Sequence, residues 1–255
     1  MGRPWATFRA DLARSAGAWA AAPGLVVLSV GLWLASGGVR SIAAPGAAEA
    51  ASLLTLPIAL FLTGFSGTQR VWYVRVYRGQ RLRLGEIFPL TFGFVGRMLL
   101  LGLAIFAPIA VVLVPAAVIT LASRASTGGS APHLPTAFLL AVAACGLVID
   151  AALTFVVPAL ALTTSSVRDA LRRGLSMIRD TWPASAWYVL TPGLTLPVLA
   201  VALPPSALGT GGKVLLGAGA SLLALWFKGA IVAFYLRHHP EVGDNGATSR
   251  VVGAR

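Results

Sequence analysis

The sequence predicts an all-α membrane protein with six transmembrane helices and two or three interfacial amphipathic helices on the cytoplasmic side. Six apolar stretches, each about 20 residues long, are long enough to cross a hydrocarbon layer of about 30 Å as helices. Charged residues make up only 11% of the 255 residues, whereas soluble proteins carry about 25%. The arginines between the stretches fall almost entirely in alternate connections, as in a chain that crosses a membrane repeatedly.

The predicted spans occupy residues 16–39, 50–68, 98–122, 136–163, 186–208 and 213–236. They form one membrane domain over residues 1–239, and we expect the polar, glycine-containing tail over 240–255 to be disordered. No separate soluble domain of ordinary size fits in the remaining residues. Arginines precede the first apolar run, as in a signal peptide. The length of that run and the second span close behind it favour an uncleaved first span.

The distribution of basic residues predicts that both termini are cytoplasmic. Of the 20 lysines and arginines, sixteen lie in the N-terminal segment, the second and fourth connections and the tail, and three lie in the other connections. By the positive-inside rule the richer side is cytoplasmic. We therefore expect a multi-pass protein of the bacterial cytoplasmic (plasma) membrane. The net charge of +12 lies beside the spans, where it would meet anionic lipid headgroups rather than nucleic acid.

Three cytoplasmic segments share an amphipathic stretch, an aromatic or arginine boundary and an outward-going span. They cover residues 5–19, 81–97 and 166–188. In the third, apolar residues recur at helical spacing; they are Val167, Ala170, Leu171, Gly174, Leu175 and Ile178. Ser166 and Asp169 have the spacing of a capping box, in which two side chains satisfy N–H groups of the first turn. We predict a helix over 166–181 that lies in the interface with its apolar side toward the lipid.

The other residues of this third segment are predicted to contact the membrane surface. The arginines of its polar face are Arg168, Arg172, Arg173 and Arg179. The aromatic residues that follow are predicted to be interface anchors at headgroup level; they are Trp182, Trp187 and Tyr188. A solvated helical linker is the simpler alternative, but the apolar spacing and the two adjoining spans favour the interfacial helix.

Two charged residues fall deep inside predicted spans. Asp150 lies near the middle of the fourth span, and Lys228 lies in the sixth. A charge at the bilayer centre costs at least about 2.5 kcal/mol on insertion scales, so it normally has a partner or a wet cavity. Both residues lie on stripes of small residues that permit close helix approach. We predict that Asp150 and Lys228 pair and fix helix packing. A proton or ion relay and a protonated Asp150 are the alternatives.

The sequence contains no recognisable motif for enzymatic chemistry. It has no HExxH, GxSxG, Walker A or CxxC motif and no paired-carboxylate motif. The single cysteine, Cys145, lies in a predicted span, and the adjacent His238 and His239 have no evident third ligand. We therefore predict no catalytic residue, no metal site, no cofactor and no enzymatic activity.

Two segments resemble the membrane domain of glycerophosphodiester phosphodiesterases and its stand-alone bacterial relatives. The first covers residues 77–101 and reads YRGQRLRLGEIFPLTFGFVGRMLLL. It is similar to the family's pattern of a basic residue and a glycine, a short spacer, and then an amphipathic helix that enters a span. The second covers residues 155–190 and reads FVVPALALTTSSVRDALRRGLSMIRDTWPASAWYVL. It looks like the family's pattern of an apolar stretch with a proline, a helix that contains Ala-Leu-Arg-Arg, and a span that begins with tryptophan. The resemblance implies about six spans with short cytoplasmic helices. The catalytic barrel is absent, so it implies a membrane module without phosphodiesterase activity.

These observations favour a membrane-embedded scaffold or accessory subunit that binds lipid or partner membrane helices. The expected partners are anionic lipids at the cytoplasmic face and a membrane protein or an ATPase. The main alternative is a small transporter or flippase, or its permease subunit, whose path passes Asp150 and Lys228. A third alternative, an intramembrane lipid-modifying enzyme, has no motif in its favour.

Overall fold

A computed structural model describes residues 2–35, 45–125, 136–203 and 208–244, and over these ranges the chain forms helices without a β-strand. The helices are α1 (Gly2–Ala21), α2 (Pro23–Trp33), α3 (Pro45–Tyr77), α4 (Leu84–Ala125), α5 (Thr136–Leu162), α6 (Val167–Asp180), α7 (Ala184–Ala202), α8 (Thr210–His238) and α9 (Glu241–Asp244). The predicted all-α class is confirmed. The tail beyond residue 244 lies outside the described ranges.

Helices of membrane-spanning length and composition are present in the described ranges. Three segments are long and apolar enough to cross a membrane: Leu84–Val111, Cys145–Leu162 and Thr210–His238. A fourth span results if Pro4–Ala21 and Pro23–Trp33 are counted together, although these two helices meet at 91°. The chain therefore has the makeup of a membrane protein. The count of six spans stays a prediction.

The first predicted span, 16–39, is broken near its start. α1 ends at Ala21, and α2 begins at Pro23 after the 91° bend. Proline lacks an N–H group and disfavours helical dihedrals in the residue before it. Ala22 accordingly leaves the helical region, with φ −140° and ψ 68°. The amphipathic segment 5–19 thus belongs to a helix of its own, and residues 36–39 lie outside the described ranges.

The helix that contains the second predicted span, 50–68, extends beyond it, because α3 continues to Tyr77. Nothing after residue 68 stops the helix until Gly79, whose φ of 70° suits a residue without a Cβ. The Gln80 N–H then bonds to the Arg75 carbonyl at 2.8 Å and closes the turn. Residues that the sequence pattern assigns to a cytoplasmic loop are therefore part of the helix.

The third span and the amphipathic segment before it form one helix. We predicted separate elements over 81–97 and 98–122, but α4 runs unbroken from Leu84 to Ala125. Its exposed apolar residues keep helical spacing across the predicted boundary; they include Phe88, Phe92, Leu99, Leu103 and Phe106. Because the same face continues through both segments, there is no reason for the helix to end between them.

The predicted helix over 166–181 is present as α6. Ser166 caps it by accepting a hydrogen bond from the Asp169 N–H at 3.4 Å. The capping box is incomplete, because the Ser166 N–H bonds to the Thr164 hydroxyl rather than to the Asp169 carboxylate. The buried side of α6 packs on α5. A Cβ at Gly174 would lie 2.5–2.7 Å from atoms of Val156, so only glycine permits this approach.

Several arginine-bearing segments meet at one end of the helix bundle, here called the basic end. Arg237 of α8 forms an ion pair with Asp11 of α1. The Arg14 guanidinium lies 4.5 Å from the centre of the Tyr77 ring on α3. Arg78, in the turn after α3, donates to the Val242 carbonyl of α9. The middle of α1 is therefore tied to the C-terminal ends of α3 and α8.

The start of the predicted tail forms the short helix α9 at this end. Val242 is buried with 6% exposure and its carbonyl is bonded by Arg78, so the apolar side chain anchors the residues after Pro240. His239 Nδ1 lies 3.0 Å from Glu241 Oε1. Backbone hydrogen bonding at the start of α9, together with this histidine, lowers the pKa of the Glu241 carboxyl.

Candidate functional site

A chain of hydrogen bonds crosses from α8 through α3 to α2. Lys228 Nζ donates to Gln69 Oε1 at 2.9 Å, and Gln69 Nε2 donates to Ser29 Oγ at 2.9 Å. The Ser29 hydroxyl donates to the Leu25 carbonyl at 2.7 Å. Both ends of the Gln69 amide are thereby used, so the amide holds the ammonium group in a fixed place.

Lys228, Gln69 and Ser29 line a cavity of about 370 Å³ between the three helices. This volume is far larger than the roughly 15 Å³ that one water needs. Hydroxyl groups share its wall with the Lys228 ammonium; they belong to Ser29, Thr63, Ser66 and Ser221. The apolar part of the wall comes from Trp33, Leu62 and Phe65. The cavity is therefore polar and cationic on one side and apolar on the other.

A buried cation adjoins this cavity, whereas Lys228, which lines it, is half-buried. Arg70 is 7% exposed, and its NH1 group donates to the Ser66 hydroxyl at 2.8 Å and to the Ser66 carbonyl. Its Nε is buried without a hydrogen-bond partner. The charge of Arg70 acts on Lys228 electrostatically. Neither cation has a carboxylate partner in the described part of the chain.

The structure does not bring the predicted pair Asp150 and Lys228 together. Asp150 is on the α5 side that faces α7, where a Cβ at Gly193 would lie 3.4 Å from Asp150 Oδ2. Lys228 faces α2 and α3 instead and bonds to Gln69. Helical spacing identified a polar stripe on each helix, but it did not identify the neighbouring helix that each stripe faces. Where the sequence predicted a contact between Lys228 and Asp150, the structure has a contact between Lys228 and Gln69.

Sequence reasoning missed Gln69 and Arg70 as site residues. Arg70 was counted among the cytoplasmic arginines, because the predicted span ended at residue 68. The signal that could have placed both in the helix is the helical spacing of Phe65, Gln69 and Trp72, which continues without a breaker as far as Gly79.

A second polar cluster lies at the basic end and also escaped the sequence analysis. Asp11 is 2% exposed and accepts hydrogen bonds from the Tyr188 hydroxyl and the Arg237 guanidinium. Tyr188 was predicted to be an interface anchor, but it is 0% exposed and belongs to this cluster. The cluster joins α1, α7 and α8, so its role is to hold the helices together.

The other predicted surface residues are placed as follows. Trp182 is 63% exposed, and Trp187 is 41% exposed with its ring centroid 4.8 Å from that of Trp5. The predicted arginines of α6 are all exposed; they are Arg168, Arg172, Arg173 and Arg179. Arg179 also forms an ion pair with Asp180 at 2.9 Å. These positions leave the arginine face of α6 accessible.

Comparisons with known proteins do not assign a function to these clusters. No family model, curated protein or solved structure matches the chain. The resemblance to the membrane domain of glycerophosphodiester phosphodiesterases therefore stays a prediction. In the described ranges, no three or more His, Cys, Asp or Glu side chains lie together in a group that could hold a metal ion.

Proposed function

We propose that the protein is a non-enzymatic, six-span scaffold or accessory subunit of the bacterial plasma membrane, which binds lipid or partner membrane helices. The observation that carries this proposal is the apolar outer face of α4. Phe88, Phe92 and Leu103 are each more than 60% exposed, and Leu99 and Phe106 extend the same face. Exposed apolar surface of this extent is rare on soluble monomers and marks a surface that lipid or another helix covers.

Photo-crosslinking tests this role. We would place a benzophenone amino acid at Phe92 and, as a control, at Arg172 on the exposed polar face of α6. Position 92 should crosslink to acyl chains or to a discrete partner protein in native membranes, and position 172 should not crosslink to acyl chains. In inside-out membrane vesicles and a Cys145→Ser background, a membrane-impermeant maleimide that labels Phe92→Cys as fast as Arg172→Cys would contradict the proposal.

The proposed orientation places both termini and the basic end at the cytoplasmic face. It is supported by the contacts that bring arginines from three parts of the chain to one end, since Arg14, Arg78 and Arg237 meet there. At this level the arginines of α6 would meet anionic headgroups. An alkaline phosphatase fused to the C-terminus should be inactive and a fluorescent protein fused there should be bright. The opposite result would refute the orientation.

A small transporter or flippase is the second candidate function, and the cavity beside Lys228 is the observation that favours it. Ionisable groups that line a cavity inside a membrane commonly mark a substrate path. Proteoliposomes that contain the purified protein should then move an anionic solute or lipid, and Lys228→Met should abolish the movement. Asp150 does not line this cavity, so Asp150→Asn should leave transport intact.

A further inference from the structure

The cavity between α2, α3 and α8 has a positive charge that no carboxylate in the described part of the chain neutralises. Lys228 lines it and Arg70 adjoins it through Ser66. The ion pairs of the described chain join other residues, so no carboxylate there balances these cations. A buried charge without a counter-charge is costly, and such groups are normally paired. A site of this kind is complementary to an anion.

Unused hydrogen-bond donors point the same way. An ammonium group has three N–H donors, and Lys228 gives one of them to Gln69. Arg70 does not line the cavity, but it donates to the Ser66 hydroxyl, which does. The hydroxyls of Ser66 and Ser221 add further donors to the wall. An anion that fits this set must offer several acceptor oxygens and more than a single small negative charge.

We propose that this cavity binds a phosphate group. A phosphate presents several acceptor oxygens to converging donors and forms charge-assisted hydrogen bonds with lysine and arginine. Lys228 contacts the phosphate, and Arg70 adds positive charge from behind Ser66 without lining the cavity. Gln69 acts as a positioning residue that orients the ammonium. The inference goes beyond the scaffold role and does not rest on it, because no residue of α4 lines the cavity.

The surroundings of the cavity admit a lipid phosphate as well as free phosphate. Phe65 lines both this cavity and an apolar groove of about 390 Å³, whose wall includes Leu28, Leu32 and Phe61. A headgroup in the polar cavity would therefore leave its glycerol and acyl portion beside an apolar surface. The two sources share the phosphate chemistry, and the experiment separates them.

The test is a binding titration on the full chain, purified in an uncharged detergent. The probes are inorganic phosphate and dihexanoyl phosphatidic acid, with sodium chloride at matched ionic strength and dihexanoylglycerol as controls. Tryptophan fluorescence is a suitable readout because Trp33 lines the cavity, and the thermal unfolding midpoint provides a second one. We expect a saturable response to at least one phosphate probe and to neither control.

Matched variants locate the site. Lys228→Met should weaken the apparent Kd at least tenfold, whereas Lys228→Arg, which keeps the charge, should retain most of the affinity. Asp150→Asn removes a charge at the α5–α7 contact and should change nothing. If Lys228→Met does not fold, Ser221→Ala serves as the second variant, with an expected threefold to tenfold weaker Kd from the lost hydrogen bond.

The outcomes are distinguishable. A response confined to dihexanoyl phosphatidic acid assigns the site to a lipid headgroup, and an equal response to inorganic phosphate assigns it to the free anion. No saturable response of the folded wild type to either phosphate probe would overturn the proposal. An unchanged affinity in folded Lys228→Met, or in Ser221→Ala where that variant replaces it, would also overturn it. Neither of these two negative results would change the crosslinking that the scaffold proposal expects at Phe92 of α4.

Discussion

Gly229 lies where α8 approaches α1 and α3 closely, and one added methyl group there tests this packing directly. A Cβ would lie 2.0 Å from Ser15 Oγ and 2.6 Å from Tyr73 Cε1. Both neighbours are held in place, since the Ser15 hydroxyl donates to the Trp226 carbonyl at 2.8 Å and the Tyr73 hydroxyl donates to the Leu225 carbonyl at 2.9 Å. Gly229→Ala therefore forces α1 and the Tyr73 ring away from α8.

Three terms set the size of the effect. Replacing glycine by alanine inside a helix normally stabilises by about 1 kcal/mol. Overpacking a close contact costs about 1–3 kcal/mol. Each hydrogen bond that is lost adds about 1 kcal/mol, and one or two are at risk at Ser15 and Tyr73. We therefore expect Gly229→Ala to lower the free energy of unfolding by about 1–4 kcal/mol.

Gly219→Ala is the matched control, because Gly219 lies on the same helix and a Cβ there would meet nothing within 4 Å. This variant should leave stability unchanged or raise it by up to about 1 kcal/mol. Unfolding by sodium dodecyl sulfate, followed by far-ultraviolet circular dichroism in mixed micelles, measures both variants. If Gly229→Ala proves as stable as Gly219→Ala, the close approach of α1 to α8 is wrong.

Other predictions concern the polar cluster at the basic end and the contact between α5 and α6. Asp11→Asn should lower the free energy of unfolding by about 1–2 kcal/mol, since it weakens the hydrogen bonds from Tyr188 and from the half-exposed Arg237. Asp11→Glu should recover part of the loss in the same assay. Gly174→Ala should cost about 1–3 kcal/mol by pushing α6 off Val156. Gly96→Ala, where a Cβ meets open space, should not destabilise. Equal stability of the two alanine variants would contradict tight α5–α6 packing.

The helices themselves were largely predictable, because their causes are local. Apolar composition and helical spacing placed α4, α5 and α8, and the side-chain cap at Ser166 placed the start of α6. The boundaries that failed depended on weaker local signals. The bend before Pro23 was overlooked within a long apolar run, and the end of α3 was placed at the first arginine rather than at Gly79.

The partners of buried polar residues could not be predicted, because they depend on which helices are neighbours. Lys228 and Asp150 both lie on small, polar stripes, yet one faces Gln69 on α3 and the other lies at Gly193 on α7. Likewise, Tyr188 follows two exposed tryptophan positions in sequence but is buried against Asp11 on α1. Such pairings join residues far apart in the chain, and periodicity within one helix carries no information about them.

The contact between α1 and α8 has a consequence for biogenesis. Asp11 and Arg237 are 226 positions apart, so at a synthesis rate of roughly 5–20 residues per second α1 waits about 11 to 45 s for its partner to be made. During that interval the polar side of α1, with Asp11 and Ser15, has neither Arg237 nor the Trp226 carbonyl to bond with. Completion of α8 is therefore the step that supplies α1 with these two partners.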